Sequence, residues 1–137
     1  MTDAQLAAKK LAFIETCVRE LRAMARPQQM ASDVREERFV EHTLQIAIQA
    51  ALDVASHVVS DERLGEPRTN HELFELLARH GWLTPELAQT LRAMVGFRNI
   101  LVHGYAQVQV EIVKDVVAHR LDDLLAFVTA VRARIAP

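Results

Sequence analysis

Cysteine is all but missing from this chain of 137 residues: Cys17 is the only one. A single thiol makes no internal disulfide and builds no cysteine-based zinc site. A reducing, cytoplasmic setting is the simplest reading. Glycine and proline are scarce, four of each, and β-branched alternation is almost absent, so the pattern of a strand-rich fold is not there. No stretch approaches the ~18 uninterrupted apolar residues of a membrane span. The N-terminal "MTDAQLAAKKLAF" has no apolar signal-peptide core, so a soluble protein without a membrane partner is expected. Neither sign of charge dominates. A net charge of −2 and a pI near 6.3 argue against a bulk nucleic-acid coat, which would be basic, but leave room for an enzyme that grips a few phosphates locally.

What is present is helix. Half the residues are hydrophobic, and a chain of this size buries roughly 68–70% of its unfolded surface. Thr2 with Gln5 reads as a capping box, followed by Leu6, Phe13 and Leu21 at helical spacing. "RPQQMASD" breaks that pattern, and Ser32 or Asp33 can cap a long second helix to about Ser60. "DERLGEPRT" is a loop. Thr69 and Glu72 form another capping box, Gly81 closes a short helix after His80, and Thr84–Pro85 opens the next. A last helix is expected from about Val110 to Ile135, its apolar stripe running Val110, Val113, Val117, Leu121, Leu124, Val128, Val131, Ile135. The fold class expected is all-α: an up-and-down bundle of about five helices in one domain, 1–137. Cys17 falls on the apolar run of the first helix and is expected to be packed.

Helix two carries a polar line: His42, Gln45, Gln49, Asp53, Ser56 and Ser60 recur by threes and fours. A solvated face explains most such lines. Asp53, however, sits in "AALDVA" among small apolar residues, where a carboxylate can point into a groove. The pairs Asp53/His57 and Asp115/His119 are four apart, yet neither has further ligands at a recognisable metal spacing, so no metal site and no cofactor are expected.

The stretch with chemistry is "FRNILVHGY", residues 97–105. Arg98 and His103 are five apart, about 500° on an ideal helix, so they would not share a face. They converge only if the helix ends or distorts between them, and Gly104, which tolerates backbone angles other residues resist, supplies that end. Histidine is the natural proton carrier at cellular pH, and an arginine fork suits a phosphate oxygen. Asn99 adds donor and acceptor capacity, and Tyr105 a hydroxyl. Arginine is common in this chain, so the bare Arg-x4-His spacing is a weak motif, and a core-edge histidine beside a surface arginine remains an alternative.

"RNILVHGY" resembles the Arg-x4-His-x-Tyr signature of the HepT toxins, a branch of the HEPN superfamily. "VEHTLQIAIQAALDVASHVV" is similar to that family's second helix, aspartate included, and "NHELFELLARHGWLTPELAQTLRAMVGFRN" to the approach to the motif. The resemblance covers most of the chain. It implies a metal-independent ribonuclease toxin that acts on RNA as a homodimer, with two motifs facing one cleft and a MntA-like nucleotidyltransferase antitoxin as partner. Carried onto this sequence, Arg98 and His103 are the catalytic pair, Asn99 and Asp53 support them, and Tyr105 is the residue the antitoxin modifies with AMP. Two other readings stay open: a non-catalytic HEPN nucleotide-binding subunit that assists a nucleotidyltransferase, and a plain helical adaptor.

Overall fold

A computed structural model describes residues 3–103 and 110–135. Within them the chain forms six α-helices and one short 3-10 turn: α1 Ala4–Met24, the turn Pro27–Gln29, α2 Val34–Asp61, α3 Asn70–Arg79, α4 Pro85–His103, α5 Val110–His119 and α6 Leu121–Ile135.

The caps explain most of the boundaries. Asp3 caps α1, its carboxylate accepting from the backbone N–H of Gln5 and Leu6, both at 3.1 Å. The acceptor expected there, Thr2, lies outside the described residues. Asp33 caps α2 through Arg35 N–H at 2.9 Å, as its position before the apolar periodicity suggests. At α3 the expected box does not close. Thr69 is the cap residue but makes no side-chain cap bond, and Glu72 accepts instead from the N–H of Arg68, the residue before the cap. Gly81, at φ 79°, ends α3: its N–H bonds Ala78 and that of Trp82 bonds Leu77, the double bond of a Schellman turn. Thr84 then caps α4 through Leu87 N–H at 3.2 Å.

Two expectations need correction. The single last helix is two, α5 and α6, separated at Arg120. The apolar stripe keeps its threes and fours across the break, with Val113, Leu121 and Leu124 buried and Val117 packed against the core, so periodicity alone reads it as continuous. The charges mark the boundary: His119 closes α5, while Asp122 and Asp123 occupy the first turn of α6, where the helix dipole favours them. Secondly, of the three apolar positions read for α1, only Leu21 is buried; Leu6 and Phe13 are 36% and 43% exposed. The buried stripe runs instead through Ala7, Leu11, Ile14, Cys17, Val18 and Leu21.

Helix α2 is the central element, packed by α1, α3, α4 and α6. Its Leu44, Ile48, Ala51, Leu52, Ala55 and Val59 are all buried in one contiguous core. Cys17 is packed there too, and burial pushes its thiol up to about 11, so it stays protonated at cellular pH. Helix α6 straps the bundle. Arg132 grips Glu15 of α1 with both fork nitrogens, at 2.7 and 3.1 Å, and Arg134 stacks on Trp82 at 4.4 Å. The Arg132 guanidinium holds the Glu15 carboxyl below its usual range. A depressed carboxyl stabilises the fold at neutral pH, and that contribution fades as pH falls through the carboxylate range. With both side chains about a third or more exposed, it is worth at most ~1 kcal/mol. No helix among the described residues is long and apolar enough to cross a membrane.

Candidate functional site

The middle of the polar line on α2 is not a solvated face. Gln45, Gln49 and Asp53 are half-buried, while His42, Ser56 and Ser60 near its ends are exposed. Asp53 and Gln49 line a groove between α1 and α2, together with Lys10 and Phe13 of α1. From the α1 side, Lys10 Nζ lies 3.3 Å from Asp53 Oδ2. From the same helix, Gln49 Nε2 donates to Asp53 Oδ1 at 2.9 Å, an i,i+4 contact between adjacent turns.

Arg98 comes to this line from α4. Its Nη2 donates to Gln49 Oε1, and its Nη1 donates to Asn99 Oδ1 at 3.1 Å. Its Nε is buried with no hydrogen-bond partner among the described residues. A continuous chain therefore runs Lys10–Asp53–Gln49–Arg98–Asn99 across three helices. The structure thus brings Arg98, Asn99 and Asp53 into one network and adds Gln49 and Lys10, which sequence reasoning did not single out. The available signal for Gln49 was its place on the polar line, four residues before Asp53. Nothing in the sequence shows that Lys10 lies opposite.

His103 is placed elsewhere. Helix α4 runs through His103, so the helix end expected at Gly104 does not fall between His103 and Arg98. Five residues of unbroken helix separate the two by about 140° around the axis and about 7.5 Å along it. Their surroundings agree, since Arg98 is half-buried and His103 exposed. Gly104 and Tyr105, the remaining part of the motif, lie outside the described residues.

The other polar pairs behave as ordinary surface contacts. His119 Nε2 lies 3.9 Å from Asp115 Oδ1 with both side chains exposed. Among the described residues no three His, Cys, Asp or Glu side chains converge. A second groove between α4 and α5, floored by Met94, Phe97 and Val116, includes none of the expected site residues.

Chemically, the network presents one guanidinium whose hydrogen-bond partners among the described residues are neutral. Such a group is a ready phosphate receptor. An exposed imidazole stands one and a half turns further along the same helix.

Known proteins resemble this chain in sequence and fold. The family model described as "Ribonuclease HepT-like" matches residues 14–131. The mRNA nuclease HepT of Shewanella oneidensis is 33% identical over 125 residues, covering 90% of this chain and 94% of that protein. The tRNA nuclease HepT of Aphanizomenon flos-aquae is 39% identical over 74 residues, 54% of this chain and 50% of that one. Among solved structures, the tri-AMPylated HEPN toxin of S. oneidensis in complex with its MNT antitoxin superposes with a TM-score of 0.88 at 32% identity, covering 98% of this chain and all of that one. A toxin–antitoxin structure with AMP-PNP gives a TM-score of 0.89 at 30% identity, over 95% and 99% of the two chains.

Proposed function

The chain belongs to the HepT-like ribonuclease family, and from that premise we propose that it is the toxin of a toxin–antitoxin pair, cutting RNA in the cytoplasm at a cleft shared by two copies. The observation that carries the site assignment is the hold on Arg98: two amide oxygens orient the guanidinium, and no carboxylate among the described residues neutralises it directly.

The chemistry follows from RNA itself. The ribose 2′-OH is the nucleophile. As its oxygen bonds to phosphorus, its proton leaves for a base; as the bond from phosphorus to the 5′ oxygen breaks, that oxygen takes a proton from an acid. His103 supplies base and acid when two copies face each other, and Arg98 stabilises the charge that gathers on the phosphoryl oxygens. Neither step draws on a metal ion. Cleavage of a labelled RNA should therefore proceed at an unchanged rate in excess EDTA. Loss of cleavage under chelation, restored by a divalent cation, would overturn this reading.

The opposite placement of Arg98 and His103 around α4 supports the shared cleft. One chain presents the two groups in different directions, whereas a two-fold partner lets the arginine of one face the histidine of the other. A nucleotide-binding subunit without catalysis needs the arginine but gives His103 no task.

Complexes with MNT antitoxins and an AMPylated state are known for the relatives; for this chain we assign the same kind of nucleotidyltransferase partner, with Tyr105 as the acceptor. Tyr105 is the only tyrosine of the chain, two residues after His103. AMP attached there brings a phosphate that can satisfy Arg98 and repel an RNA backbone. Incubation with the partner and ATP should add AMP mass to the wild-type protein and none to Tyr105→Phe, which should stay an active nuclease. Equal labelling of both proteins would place the modification elsewhere.

A further inference from the structure

The partner of Arg98 on α2 is an uncharged side chain, although a carboxylate stands one helical turn away. Arginine next to an aspartate would ordinarily make a direct forked ion pair. Here Gln49 is interposed: its Nε2 donates to Asp53 and its Oε1 accepts from Arg98. The orientation of this amide is forced from both ends. An ionised carboxylate only accepts and a guanidinium only donates, so a flipped amide would lose both bonds together. Lys10 balances Asp53 from the other side.

We propose that Gln49 is a positioning residue of the ribonuclease site, an amide spacer that fixes the direction of Arg98 while keeping the Asp53 charge off it. The spacer answers two requirements that conflict. A catalytic guanidinium must be held still, which calls for a firm acceptor. It must also keep its charge for the substrate, which a direct carboxylate would take. A neutral oxygen, locked by a carboxylate one step further back, meets both. Asn99 Oδ1, the other acceptor of Arg98, is also neutral. Asp53 then acts through Gln49 and has no need to touch RNA. This inference rests on the reading of Arg98 as the phosphate-binding catalytic group.

Two variants separate holding from charge. Gln49→Leu removes both hydrogen bonds at similar size, so Arg98 keeps its charge but loses its direction. The expected result is a fall in kcat of about ten- to a hundredfold, the scale of a hydrogen bond to a charged group. The exchanged pair Gln49→Glu with Asp53→Asn keeps the hydrogen bonds and the total charge, but moves the carboxylate directly onto Arg98. Its expected signature is weaker binding of an uncleavable 2′-O-methyl RNA, by about tenfold, with an unchanged circular dichroism spectrum. Neither change should weaken RNA binding further once Arg98 is alanine, a coupling that a merely structural Gln49 would not show.

Wild-type binding and cleavage by the exchanged pair would overturn the proposal, as would an equal loss from Gln49→Leu with and without Arg98. An inactive Arg98→Ala beside fully active Gln49 variants would sink the spacer alone. A fully active Arg98→Ala would sink the site assignment and the spacer with it.

Discussion

Replacing His103 by alanine is expected to slow RNA cleavage by about 10²–10⁴, the usual contribution of a positioned general acid or base, and to abolish growth arrest on expression. Arg98→Ala should cost about 10²–10³, the scale of removing one preorganised donor from a developing charge. The two losses should differ in kind. His103 is exposed at the end of α4, so its removal opens no cavity in the buried core. Arg98 is half-buried and bonded to Gln49 and Asn99, so its removal should also lower the melting temperature slightly. RNA affinity should fall for Arg98→Ala and hold for His103→Ala. A His103→Ala protein that cuts at the wild-type rate takes the imidazole out of the mechanism.

Mixing subunits should give the second large effect. If each cleft needs a histidine from both chains, dimers reassembled at random from wild type and His103→Ala are active only when both halves are wild type. Activity then follows the square of the wild-type fraction: one part wild type in ten leaves about one hundredth of the activity, where independent sites would leave about one tenth. Co-refolding at graded ratios, followed by the cleavage assay, distinguishes the two curves. The physical motive is the proton balance of cleavage, which needs a base and an acid in the same cleft while each chain brings one His103. Linear dilution would mean that one histidine per cleft is sufficient, and full activity in a protein that light scattering shows to be monomeric would mean that one chain is.

Much of the scaffold was legible because its signals are local. Asp33 before an apolar periodicity, Gly81 after His80 and the pair Thr84–Pro85 each set a boundary by chemistry within four residues, and the structure has helix ends at all three. The break at Arg120 was hidden because Val117 and Leu121, four apart, keep the apolar stripe in phase across it, and neither glycine nor proline marks it. The first helix was misread at Leu6 and Phe13 because hydrophobicity says nothing of which side a neighbour will cover. Ala7, a smaller side chain, lies on the covered side and is buried in their place.

The site divides in the same way. Arg98, His103 and Tyr105 stand out because they interrupt an apolar stretch, and Asp53 because it lies among small apolar residues. Gln49 does not stand out. Its importance depends on what α4 and α1 bring to either side of it, Arg98 from one and Lys10 from the other. Those separations, 49 residues from Gln49 to Arg98 and 43 from Lys10 to Asp53, leave no trace in local patterning. The turn expected at Gly104 is a local signal of the same kind as the caps: α4 is described as far as His103, with no break between it and Arg98.

The two amide oxygens on Arg98 also bear on ionic strength. Dissolved ions screen charges that attract one another through solvent, so added salt weakens exposed pairs such as Arg22–Asp122, whose side chains are 49% and 84% exposed. A guanidinium held by dipoles at contact distance in a half-buried setting has little for those ions to screen. Salt will therefore act on this enzyme mainly through the competition between its anions and RNA phosphates for Arg98, leaving the shape of the receptor the same in dilute and concentrated buffer.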